Sequence, residues 1–151
     1  MPGEDLNNMF AGIKNSLLED KKEKWYDYLI AILINLLFLY IANNLIYWNL
    51  SFIAASFGDV LWAINLSLIV AIVANVSFIL YDHSGFKIVS KIIMSFTALI
   101  AAFTILTVFP FVINQFIIAV GLKILIIIGI LAAVVSIIFQ IMKMVYLIAS
   151  T

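Results

Sequence analysis

Long runs of hydrophobic residues, separated by short polar intervals, dominate the chain. Three of these runs have clear ends, at about residues 28–48, 59–81 and 87–109. Each is near 20 residues long, which is the length that an α-helix needs to cross a hydrocarbon core of roughly 30 Å. The pattern therefore predicts an all-α integral membrane protein whose helices cross the bilayer several times.

The final hydrophobic stretch, which continues to the end of the sequence, is about twice as long as one span requires. Lys123 and Lys143 lie twenty residues apart in it, which is about 30 Å along a helix. Because lysines near helix ends extend toward the membrane surfaces, we place a fourth span at about 121–143. Residues 111–120 would then be interfacial or partly re-entrant. The alternative is a longer, tilted helix that begins near Asn114.

The polar region before the first span has the periodicity of a helix. Its apolar side chains recur three or four positions apart, at Leu6, Met9, Phe10, Ile13 and Leu17. This spacing predicts a short amphipathic helix on the membrane surface, with a partner-binding helix as the alternative. The chain would divide into an amphipathic helix and linker, residues 1–27, and a bundle of four transmembrane helices connected up and down, residues 28–151.

Lysine residues are distributed unevenly between the two sides of this topology. Only Lys123 falls on one side, and the other side carries Lys14, Lys21, Lys22, Lys24, Lys87, Lys91 and Lys143. By the positive-inside rule, the lysine-rich side is cytoplasmic. We expect a multi-pass protein of the cell membrane, of the prokaryotic plasma-membrane type, with both termini in the cytoplasm. That arrangement requires an even number of spans.

Composition narrows the range of functions. The chain is 66% hydrophobic, its mean hydropathy is +1.24 and its net charge is zero. A neutral chain without arginine gives no reason to expect a nucleic-acid partner, so the expected partner is the lipid bilayer. With no cysteine and one histidine, the chain alone cannot form a thiolate, iron–sulfur or two-histidine metal site. We expect no metal and no cofactor, and the sequence contains no nucleotide-binding or hydrolase motif.

Small and polar residues recur at helical spacing within the predicted spans. In lipid, helices associate through close packing and interhelical hydrogen bonds, and residues of these types provide both. We interpret them as helix-packing positions, with a polar pore lining in an oligomer as the alternative. The candidate positions are Asn35, Asn65, Ser67, Ala71, Asn75, Gly129, Ala133 and Gln140.

The short polar interval between the second and third spans reads "YDHSGFK" and contains the only histidine. A turn accounts for every residue in it. Gly85 would supply a positive φ and Ser84 would cap the incoming helix. His83 or Lys87 would offset the charge of Asp82 at a helix C-terminus. The alternative interpretation is a catalytic site, in which Asp82 and His83 act on a lipid headgroup.

Three function classes follow from these features. The favoured one is a non-enzymatic structural or accessory subunit, which self-associates or packs into a larger membrane complex. The second is an oligomeric channel or permeability factor lined by asparagine and serine of the first two spans. The third is a lipid-headgroup enzyme that uses Asp82 and His83. The sequence identifies no substrate for either of the latter two.

Overall fold

The computed structural model describes residues 23–149, together with Asn8, Ala11 and Gly12. In residues 23–149 the chain forms four helices: α1 (Trp25–Asn44), α2 (Phe57–Leu80), α3 (Ser84–Val108) and α4 (Phe116–Ala149). All four are long and apolar enough to cross a membrane. The prediction of an all-α, multi-pass membrane protein with four spans is confirmed. The predicted amphipathic helix lies almost wholly outside the described residues.

The ends of the first three helices lie close to the predicted spans. The bounds of α2 and α3 differ from the prediction by three residues at most. Helix α1 begins three residues earlier than predicted and ends four residues earlier, at Asn44. Residues 45–48, which the prediction assigns to this helix, form turns instead, in which Trp48 N–H donates to Asn44 O at 3.0 Å. Asn49 then leaves the helical path with a φ of 50°.

Helix α3 ends where the sequence predicts it, just before Pro110. Phe109 adopts the left-handed conformation, with φ 43° and ψ 71°, and its N–H bonds to Ile105 O at 2.8 Å. Proline disfavours the right-handed helical conformation in the residue that precedes it, which accounts for the stop at this position. Phe109 thus closes the last turn of α3 and redirects the chain.

Helix α4 is longer than the predicted fourth span. It has 34 residues, about 51 Å, and it begins at Phe116 rather than near residue 121. The prediction of a separate interfacial or re-entrant segment at 111–120 is therefore wrong for its second half, and the longer helix considered as the alternative is closer. No proline follows Pro110 in the sequence, so nothing of that kind interrupts α4. Between α3 and α4, only residues 109–115 lie outside a helix.

The helices pack in chain order, α1 against α2, α2 against α3, and α3 against α4. Their directions alternate, so the four helices define two ends of the molecule. The lysine-rich end carries the start of α1, the α2–α3 turn and the end of α4. The loop end carries the α1–α2 connection, residues 45–56, and the α3–α4 connection, residues 109–115.

At the loop end, the two connections are joined through backbone hydrogen bonds. Ile53 and Phe111 form an isolated antiparallel bridge. Ala54 N–H donates to Pro110 O at 3.1 Å, and Val112 N–H donates to Phe52 O at 2.9 Å. Pro110 is fully buried beneath this contact. Since unpaired backbone groups are costly near hydrocarbon, this pairing explains how residues 110–112 can lie outside a helix.

Few of the described residues are buried, and these lie mainly where α2 contacts its neighbours. Val60 and Ala63 are fully buried on α2. The other buried apolar residues are Tyr28, Ala42, Phe57, Ala74, Phe78, Ile88 and Ala101. No residue of α4 is buried. In a membrane, this distribution places alanines and a few larger side chains between helices and leaves most large apolar side chains against lipid.

Enlarging a buried small residue should destabilise the bundle. We expect Ala63→Leu to lower the free energy of unfolding by about 1–3 kcal/mol, because the fully buried site has no room for three extra carbons. Ala98→Leu is the matched control, since Ala98 is exposed on α3. Unfolding in detergent micelles, followed by circular dichroism, measures both. Equal effects of the two substitutions would contradict the packing described here.

Candidate functional site

The lysine-rich end contains a cluster of charged and aromatic side chains contributed by three helices. Tyr28 is 5% exposed, and its hydroxyl donates to Glu23 Oε2 at 3.0 Å. Lys91 of α3 pairs with the same carboxylate, with its Nζ 3.1 Å from Oε2. Glu23 therefore links the residues that precede α1 to the first turns of α3.

A second ion pair lies beside the first. Lys87 forms a salt bridge with Asp82, and its Nζ also lies 5.2 Å from the centroid of the Tyr28 ring. The Asp82 side chain is 84% exposed and the Lys87 side chain is 20% exposed. Lys87 thus offsets the charge of Asp82 just beyond the C-terminus of α2, as the sequence predicts. A cation over an aromatic face adds a further attraction between α3 and α1.

Aromatic rings form the floor of this cluster. The ring centroids of Tyr28 and Phe78 are 5.4 Å apart. Phe86 meets Phe78 edge-on at 6.2 Å and Tyr81 at 5.6 Å. Met94 packs against the buried group of Tyr28, Ala74 and Phe78. The polar contacts of the lysine-rich end therefore rest on an apolar junction of α1, α2 and α3.

The α2–α3 turn differs from its predicted geometry at two residues. Gly85 has no positive φ, and it lies within α3. Ser84 is the first residue of α3 and does not cap it, because the capping position belongs to His83. Both predictions are wrong for one reason. The reversal is made by extended residues instead, with Tyr81 at φ −138° and His83 at φ −123°.

His83 is exposed, and its ring stacks on that of Tyr81, with centroids 5.8 Å apart. A Cβ added at Gly85 would lie 3.4 Å from His83 Cε1 and 3.6 Å from Leu147 Cδ2. Gly85 thus lies where the end of α4 approaches the turn. Within residues 23–149, no three His, Asp or Glu side chains come together as a metal site would require.

A pair of asparagine amides joins α1 to α2. Asn43 Nδ2 donates to Asn65 Oδ1 at 2.8 Å, and Asn65 Nδ2 donates to Asn43 Oδ1 at 3.0 Å. Asn65 is a sequence-predicted position, but Asn43 is not. The available signal was depth, because Asn43 lies five residues before the end of the first predicted span and Asn65 lies six after the start of the second. Antiparallel neighbours place those positions at the same level.

The other two predicted asparagines bond within their own helices. Asn35 Nδ2 donates to Ala31 O at 2.8 Å. Asn75, which is 6% exposed, donates to Ala71 O at 2.7 Å. Ser67 is half-buried on α2, between Asn65 and Asn75. In both residues, the amide N–H donates to a backbone carbonyl of the same helix and not to a neighbouring helix.

The predicted positions on α4 are covered to different extents. Ser136, between Ala133 and Gln140, lies 3.0 Å from Ser95 of α3, hydroxyl to hydroxyl. Ala133 and Gln140 are half-buried. Gly129, by contrast, is exposed, and a Cβ added there would meet no atom within 4 Å. The neighbouring helix therefore contacts α4 at Ser136 and leaves Gly129, two turns earlier, uncovered.

Comparisons of the chain with models of protein families, with curated proteins and with solved structures find no match. The function is therefore argued from this chain's own residues. Those residues provide ion pairs at one end, a backbone bridge at the other, amide and hydroxyl contacts between helices, and wide apolar surfaces.

The reciprocal amide pair should be measurable as an energetic coupling. A double-mutant cycle with Asn43→Leu and Asn65→Leu should give a coupling energy of about 0.6–1.7 kcal/mol, because each single change leaves one amide without its interhelical partner. Unfolding in detergent micelles provides the four free energies. The control cycle pairs Asn35→Leu with Asn65→Leu and should give no coupling. A zero value for the first cycle would contradict the contact.

Proposed function

We propose that the protein is a non-enzymatic structural or accessory subunit, which self-associates or packs into a larger membrane complex through α4. The observation that carries this proposal is the surface of α4. The helix has 34 residues and none of them is buried, although every other described helix contains buried residues. Among the described helices, α4 makes its extensive contacts with α3.

The open side of α4 has the composition of a helix–helix contact. Gly121 and Gly129 are exposed, with no atom within 4 Å of an added Cβ, and Ala132, about one turn beyond Gly129, is exposed as well. Such small residues allow two helix backbones to approach closely, which is the main source of helix association in lipid. A second copy of the chain, or another membrane subunit, would bury this strip.

The proposed orientation places the lysine-rich end, and with it both termini, in the cytoplasm. Of the five lysines in residues 23–149, four lie toward that end: Lys24, Lys87, Lys91 and Lys143. Lys123 lies toward the loop end, where its Nζ is 4.6 Å from the centroid of the Phe109 ring. This asymmetry supports the positive-inside assignment for a plasma-membrane protein.

The contacts of the candidate polar residues favour the subunit over the two other hypotheses. A pore lined by asparagine would need amides directed away from the chain, but Asn65 bonds to Asn43, and Asn35 donates to its own helix. Asp82 and His83, the residues of the headgroup-enzyme hypothesis, are both exposed, but their contacts are those of a helix–helix turn. Asp82 pairs with Lys87, and His83 stacks on Tyr81. Structural roles account for all of these side chains.

The orientation can be tested with single cysteines, since the natural chain has none. Ser51→Cys, at the exposed loop end, should react with a membrane-impermeant maleimide added to intact cells. Ser84→Cys, exposed at the α2–α3 turn, should react only after permeabilisation. Mass spectrometry of the purified protein measures the labelled fraction. The opposite labelling pattern would show that the termini lie outside.

Self-association through α4 can be tested in the same way. In native membranes, Gly129→Cys should form an intermolecular disulfide severalfold faster than Phe96→Cys, a control at a position 57% exposed on α3. Gly129→Leu, made in the cysteine-free chain, should weaken dimers or co-purification of partners because it blocks close helix approach. Equal crosslinking at the two positions, with monomeric protein that carries no partner out of the membrane, would contradict the proposal.

A further inference from the structure

A lateral groove lies between α2 and α3 in the half of the bundle nearer the lysine-rich end. Its volume is about 280 Å³. It is lined by Ile69, Val70, Val73, Ala74, Ser77, Phe86, Ser90 and Ile93. Ile69, Val73 and Ile93 are each about half exposed, so the groove opens toward the surrounding lipid and not toward an aqueous space.

One wall of the groove contains a hydroxyl that is open to it. Ser90 as a residue is only 9% exposed and lines the groove, and its side chain makes no hydrogen bond within the described part of the chain. Other hydroxyls in these helices bond to a carbonyl one turn back, as Ser77 does to Val73 O at 2.8 Å and Thr104 does to Ile100 O at 2.8 Å. Because no buried side-chain oxygen or nitrogen in the described residues lacks a partner, the Ser90 oxygen keeps accessible surface, where an acceptor from outside the chain can reach it.

The polar and apolar parts of the groove lie in the order in which a lipid presents them. Ser90 is six residues into α3, about 9 Å from its start, and Ser77 is about 5 Å from the end of α2. Because α3 is about 38 Å long, Ser90 lies only a few ångströms inside a hydrocarbon layer of roughly 30 Å. Along α2, the apolar wall extends about 12 Å deeper from Ser77, to Ile69.

We propose that this groove binds one acyl chain of a glycerolipid, whose ester carbonyl accepts a hydrogen bond from the Ser90 hydroxyl. The volume fits this occupant, since pockets for whole drug-sized ligands begin at about 300 Å³, while apolar cavities near 150 Å³ already hold small hydrocarbons. The site takes an ester and the upper part of its chain. The headgroup lies outside it, beside Ser77 and the α2–α3 turn.

The test uses the full chain in vesicles of diester phosphatidylcholine with a trace of phosphatidylcholine that carries a diazirine in the upper part of one acyl chain. After illumination, mass spectrometry locates the labelled residues. Label should concentrate on the stretches 69–77 and 86–93. Val73→Trp, which fills the groove, should remove most of it. Val76→Trp, at another lipid-facing position of α2 that does not line the groove, should leave it unchanged.

The ester contact is tested by competition. The two competitors are bulk lipids: labelling by the diester probe should be roughly threefold weaker in vesicles of diester lipid than in vesicles of the diether analogue, which lacks the carbonyl, since one hydrogen bond in lipid is worth about this ratio. Ser90→Ala should make the two competitors equal, with helix content unchanged by circular dichroism. Label spread evenly over all lipid-facing surfaces, or equal loss in the two tryptophan variants, would overturn the site. Equal competition in the natural chain would overturn the role of Ser90.

Discussion

The constraint on which this structure depends is that backbone hydrogen-bonding groups in hydrocarbon must find partners within the protein. Four helices meet most of that requirement by themselves. Where the chain leaves a helix between α3 and α4, its backbone pairs with residues 52–54 of the other connection. The same requirement applies to side chains, since the amide groups of Asn35 and Asn75 donate hydrogen bonds to carbonyls one turn back. The exposed remainder is almost wholly apolar.

Contacts between helices in this chain are few, and their character changes along the molecular axis. At the lysine-rich end, ion pairs and aromatic rings connect α1, α2 and α3 around Tyr28. Toward the loop end, α1 and α2 meet through the Asn43–Asn65 amides. Helix α4 is attached to α3 through the Ser95–Ser136 hydroxyls and small residues nearby. Because α4 contributes no buried residue, it is the helix with the largest share of its surface available to lipid or to another subunit.

Much of this fold could be predicted from the sequence, because hydrophobic length and proline placement depend on the local chain alone. The number of spans, the stop before Pro110 and the pairing of Asp82 with Lys87 are examples. Features that depend on two distant segments could not be predicted. The lysine spacing underestimates the extent of α4 because it places Lys123 near a membrane surface at the start of the span, whereas that side chain packs over Phe109. The sequence assigns the turn to Gly85, although extended residues before it reverse the chain. Identifying Asn43 as the partner of Asn65 requires a comparison of the depths of residues on two neighbouring helices.

The Ile53–Phe111 bridge has a consequence for how the protein reaches its topology. The two segments are far apart in sequence, with α2 and α3 between them, so closing this loop has an entropic cost that only a completed hairpin can offset. They lie on the same side of the membrane when α2 and α3 have both crossed it, and on opposite sides when only one of them has. In the second case residues 109–112 have no bridge partner. The bridge therefore lowers the free energy of the chain with a fully inserted central hairpin relative to the chain in which only one of the two helices has inserted.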